Sequence, residues 1–121
     1  MFKSVLLLGL ATMAMAADKC PSTLAMKDVA GAMGSEVRIQ PVFTDGQLKG
    51  WRVFGISTSA QLVAKSIDPN AMLTHVCGVA APEILARDGD VCCSGDASKQ
   101  FEVTFKSADK QTKVLIKRIR P

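Results

Sequence analysis

From Val37 onward, apolar and polar residues alternate with a period of two, and turn residues interrupt the alternation at short intervals. That pattern predicts strands joined by tight hairpins. Glu36 to Phe43 puts Val37, Ile39 and Pro41 on one face and Arg38 and Gln40 on the other. Pro41 has no N–H for a ladder bond, so this strand should bend or lie at an edge. Thr44-Asp45-Gly46-Gln47 is a hairpin turn, and the chain returns over Leu48 to Ile56. Here Trp51, Val53 and Gly55 share one face and Arg52, Phe54 and Ile56 the other, so the strand should be central or cover a groove. Phe101 to Lys106 alternates again, Ser107 to Gln111 turns, and Thr112 to Ile119 closes a second hairpin with Val114, Ile116 and Arg118 opposed to Leu115 and Lys117.

Two stretches change period. Leu62, Val63 and Ile67 recur at helical spacing after a Ser/Thr cluster able to cap a helix, and Asp68-Pro69-Asn70 breaks it. A β-type run, Met72 to Val76, follows at once. Between Pro21 and Gly34, Leu24, Met26, Val29 and Met33 fit a short amphipathic helix. Pro82 to Arg87 is helical in character, and Asp88-Gly89-Asp90 is a turn.

Val37 to Phe54 (VRIQPVFTDGQLKGWRVF) followed by Ser59 to Val79 (SAQLVAKSIDPNAMLTHVCGV) resembles the periplasmic PDZ-like domain of the inner-membrane C protein (GspC family) of bacterial type II secretion systems. In that family a strand with Arg and Pro leads through an Asp-Gly turn to a Gly-aromatic-Arg-Val strand, then a helix, a Pro turn and an apolar strand. Asn70-Ala71 stands where the family has Gly-Asp, and Cys77-Gly78 where it has Asn-Gly. The resemblance spans roughly residues 36 to 119. It implies a small α+β, mainly β fold: a PDZ-like, partly open β-barrel with one or two short helices. It also implies a peptide groove, to which a guest strand adds beside Phe54, Gly55 and Ile56, opposite a helix carrying Ile84 and Leu85.

Met1 to Ala17 has one Lys, an apolar stretch and a small-x-small pattern at Ala14-Met15-Ala16, as in a secretory signal cleaved after Ala16. The apolar run is too short for a spanning helix, and Ala17-Asp18-Lys19 before Cys20 are the wrong residues for lipidation. Residues 17–35 then form an N-terminal segment and residues 36–121 the PDZ-like domain. The C protein's own tether and preceding domain have no counterpart, so the expectation is a free-standing periplasmic or secreted relative.

Export bears on Cys20, Cys77, Cys92 and Cys93, an even number in a small chain, for which two disulfides are the default. Neighbours rarely bond each other, so one of Cys92 and Cys93 should reach Cys77 and the other Cys20, with the assignment open. The His75-x-Cys77 pair with Cys92-Cys93 lacks the Cys-x-x-Cys spacing of a zinc clip or redox centre, so no metal and no cofactor is expected.

The chain has 15 basic and 11 acidic side chains, and loses one of the former, Lys3, with the signal. Lys110, Lys113, Lys117, Arg118 and Arg120 concentrate at the end, where a basic edge could steer an acidic partner or keep an edge strand soluble. So small an excess in an exported chain argues against nucleic acid. For catalysis there is a single histidine, His75, inside an apolar strand; no Gly-x-Ser-x-Gly; and an acidic cluster, Glu83, Asp88 and Asp90, of ordinary surface type. The expectation is a non-catalytic protein-interaction module, in or near type II secretion, that binds a secretion component or an exported protein. The alternatives are a periplasmic enzyme inhibitor or immunity protein acting through a protruding loop, Asp90 to Ser98, and a small metal-handling protein with free thiols.

Overall fold

The computed structural model describes residues 20–118. Residues 1–19, which include the expected signal, and Ile119, Arg120 and Pro121 lie outside them. Strand β1 (Ser22–Ala25) runs straight into helix α1 (Met26–Met33). Strands β2 (Arg38–Thr44) and β3 (Gln47–Phe54) form the first hairpin, and a short 3-10 turn (Ile56–Thr58) leads to α2 (Ala60–Ala64). After β4 (Met72–Val76) and β5 (Val79–Ala80) come α3 (Ala81–Ala86), β6 (Asp90–Cys93) and a last hairpin, β7 (Gln100–Ser107) with β8 (Lys110–Lys117). The protein is mainly β, as its alternation predicts. Among the described residues, no helix is long and apolar enough to cross a membrane.

Strands β2-β3-β4-β7-β8 pair in that order, with β5 added beside β4, and β1 pairs with β6 in a separate two-stranded ribbon. All pairs are antiparallel. The sheets do not close into a barrel, and the described residues hold three α-helices where one or two were expected. Helix α1 touches both β2 and β8, which are the two ends of the sheet path. Pro41 sits on the β2 edge as expected, and a bulge at Val42/Phe43 bends that strand.

The core lies on one side of the six-stranded sheet. Trp51, Val53, Leu73, Val76, Phe101, Val103, Phe105, Val114 and Ile116 are buried there, beneath Met26, Val29 and Met33 of α1, Leu62 of α2 and Ile84 of α3. Met26, Val29 and Met33 follow helical spacing, so α1 buries one stripe. Its start corrects the expected helix over Pro21 to Gly34, because the residues before Met26 pair as a strand with β6, more than sixty residues away in sequence. The helix expected over Leu62 to Ile67 likewise stops at Ala64, where the chain turns back through Ser66 at φ 55°.

Two disulfides staple this arrangement: Cys20–Cys92 and Cys77–Cys93. The pairing follows from strand geometry. Successive side chains on β6 point to opposite faces, so Cys93, with Val91, faces the core, and Cys92 faces the other way. Cys93 thereby meets Cys77 in the tight turn between β4 and β5, and Cys92 meets Cys20 at the entry to β1. The two bonds fit a protein folded in an oxidising compartment.

Candidate functional site: the uncovered face of the sheet

Among the described residues, no helix lies on the second face of the large sheet. Residues directly opposite each other in a ladder share a face, and the register carries one row, Gln40, Arg52, Met72, Lys106 and Gln111, across all five strands of the path. A second row pairs Arg38 with Phe54, and a third joins His75, Thr104 and Lys113. Beyond them, Glu102 faces Leu115 and Gln100 faces Lys117. Arg38, Arg52, Lys106, Lys113 and Lys117 are all exposed on this face, where Glu102 is the one carboxylate among the described strand residues. The molecule's small basic excess is therefore gathered on one surface.

That surface also carries apolar side chains. Phe54 is 45% exposed and Leu115 is 46% exposed, at opposite ends of the face. Between them Met72 lies against Gly50, whose missing side chain leaves the room: a Cβ there would meet the Met72 side chain and the Leu73 backbone. The result is a shallow depression of about 430 Å³ bordered by Gln40, Val42, Arg52 and Met72. Charged groups placed beside solvent-exposed apolar ones suit a surface that is covered part of the time.

The residues assigned to the groove are distributed differently. Phe54 is paired with Arg38 on β2, and its side chain points away from the core. Gly55 ends the strand in the left-handed region, at φ 80°, and the chain packs so closely there that any Cβ would collide with the carbonyl oxygen of Glu36. Ile56 is buried in the 3-10 turn, and Ile84 is buried under α3. Leu85, on the outer side of α3, is 48% exposed. Helix α3 lies against β3 on the core face, so the sheet stands between its residues and the Phe54 side chain. Gly55, Ile56 and Ile84 thus serve packing, and only Phe54 and Leu85 present apolar surface.

Of the basic edge, Lys113 and Lys117 lie on β8 at the margin of the sheet. Arg118 turns inward, its Nη1 donating a 3.1 Å bond to the Ala97 carbonyl. Arg120 is outside the described residues. That contact, and the bond from the Ala97 N–H to Ser22 Oγ at 3.1 Å, draw the loop after Cys93 onto the body; Ala97 is 1% exposed. His75 is half-buried, its Nδ1 2.8 Å from Thr74 Oγ1 at a bulge in β4. The contribution of Arg38, Arg52 and Lys106 was missed in the sequence. Their alternation with buried residues shows that they face outward, but not that they face the same way.

The chain matches no protein-family model, no curated protein and no solved structure.

Proposed function

We propose that this protein is an exported, non-catalytic interaction module that engages a protein partner through the uncovered face of its sheet. The observation that carries this reading is the concentration of Arg38, Arg52, Lys106, Lys113 and Lys117 around exposed Phe54 and Leu115 on a face that no helix of the described residues covers. Positive potential steers an acidic partner, and the apolar groups supply burial once it has arrived. The resemblance of Val37 to Phe54 and Ser59 to Val79 to the PDZ-like domain of the type II secretion C protein supports a secretion component or an exported substrate as the partner.

The test is a pull-down from periplasmic extract with the mature domain, beside Phe54→Asp and Arg52→Glu variants, with captured proteins identified by mass spectrometry. Both positions are exposed, so the variants should fold. Capture of a secretion-system component or its substrate by the wild type, lost in both variants, is the expected result. A single captured enzyme, retained by both variants, overturns the reading in favour of an inhibitor using another surface.

A further inference from the structure

The uncovered face ends at β8, and the backbone there is prepared for one more strand. Gln61, on α2, acts as a strand substitute: its Oε1 accepts a 2.6 Å bond from the Lys117 N–H, and its Nε2 donates to the Lys117 carbonyl at 3.2 Å. A side-chain amide has the donor and acceptor pair of a peptide unit, so this contact continues the ladder by one position.

The same contact fixes the direction of the rest of the edge. In an antiparallel ladder alternate residues point their N–H and C=O groups to the same side. Since Lys117 points away from β7, so do Leu115 and Lys113, and β8 is the end of the sheet path. Gln111, Lys113 and Leu115 themselves are exposed.

The other end of the sheet is unlike it. On β2 the outward position is taken by Pro41, which has no N–H, and the bulge at Val42/Phe43 breaks the spacing. Of the two edges, β8 is the one able to accept a regular strand.

We infer that β8 accepts an acidic, extended segment of a partner protein as an added antiparallel or parallel strand along Gln111 to Leu115. Charge selects the occupant. Lys110, Lys113 and Lys117 lie on this strand, with Lys106 beside it on β7. A second copy of β8 would bring like charges together, whereas Glu and Asp at alternate positions of a guest strand would all project on one face, beside Lys113, with Lys110 and Lys117 flanking the segment. This rests on the interaction reading above and specifies its partner chemistry.

The probe is a synthetic peptide alternating Glu and Val, added to the disulfide-intact mature protein, with amide hydrogen exchange read residue by residue. Slowed exchange at Lys113 and Leu115 is expected, with no such effect from a peptide alternating Lys and Val. Leu115→Pro removes one outward N–H without touching the ladder to β7, and should weaken binding by about tenfold. Lys113→Glu provides a second variant with no backbone demand and should weaken binding in the same sense. Binding that leaves both amides unprotected and is unaltered by Leu115→Pro overturns strand addition while leaving an acidic partner on the open face. Absence of binding overturns this inference alone, because the pull-down judges the interaction reading separately.

Discussion

The hydroxyl of Ser59 donates a 2.6 Å hydrogen bond to the carbonyl oxygen of Met33, the last residue of α1. The Ser59 hydroxyl oxygen in turn accepts from the Leu62 N–H at 3.3 Å and so caps α2. One buried side chain thereby satisfies the end of one helix and the start of another, joining segments twenty-six residues apart. Ser59→Ala should cost about 2 to 3 kcal/mol, the sum of a lost cap and a buried carbonyl left without a donor. Urea denaturation measures it, and a loss below about 0.5 kcal/mol, the scale of an ordinary surface change, would show that neither bond matters.

Gly55 and Gly46 both sit at positive φ, 80° and 76°, but in different surroundings. A Cβ on Gly46 meets nothing, whereas one on Gly55 meets the Glu36 backbone. Gly46→Ala should therefore cost about 1 kcal/mol, the left-handed penalty alone. Gly55→Ala should cost clearly more, since backbone must move as well. Equal losses of stability in thermal melts of the two variants would contradict the close packing described at Glu36.

The opposite facing of Cys92 and Cys93 gives a thiol count. A Cys20→Ser, Cys92→Ser protein should fold with no free thiol, because Cys77 and Cys93 still meet. A Cys20→Ser, Cys93→Ser protein should retain two, because Cys77 and Cys92 face apart. Titration with a thiol reagent under native conditions decides between them. Loss of the Cys77–Cys93 bond, which spans 16 residues, should cost about 3 kcal/mol.

In the loop after β6, Asp96 accepts bonds from the Ser98 hydroxyl at 2.6 Å and the Ser98 N–H at 3.1 Å. These hold its carboxyl below the usual range, with Lys99 adding to them against a small opposing effect of burial. A depressed folded-state value means that the carboxylate's contribution is complete above the unfolded value and is lost as pH falls through the folded one. An NMR titration should find Asp96 titrating at lower pH than an ordinary aspartate, and Ser98→Ala should move it upward. A titration that Ser98→Ala leaves in place would assign the shift elsewhere.

The legible parts of the fold are those set by neighbours in sequence. The Asp45-Gly46 turn identifies the β2–β3 hairpin, the alternation of Phe101, Val103 and Phe105 orients β7, and Pro82 to Arg87 marks α3 to within a residue at each end. Strand β1 reads as part of a helix because its partner lies at Asp90 to Cys93, and only that distant pairing makes Ser22–Ala25 extended. Ile56 was placed on a strand because alternation carries through Gly55, although the left-handed conformation of Gly55 turns the chain and buries it. The site was harder. Alternation shows that Arg38, Arg52, Lys106 and Lys113 face outward, but their sharing of one surface depends on strand order, which no local pattern contains.

The vicinal cysteines also bear on how the molecule can fold wrongly. If β6 slid by one residue against β1, its two faces would exchange, and Cys93 would approach Cys20 while Cys92 turned toward Cys77. Both bonds could then close, giving an isomer of identical mass and no free thiols, with Val91 turned out of the core. Neither oxidation state nor mass would betray the error; only exchange by an attacking thiol could undo it. Correct assembly thus requires β1 and β6 to settle into register before the second bond forms, and a molecule that oxidises too early is recovered only through thiol–disulfide exchange.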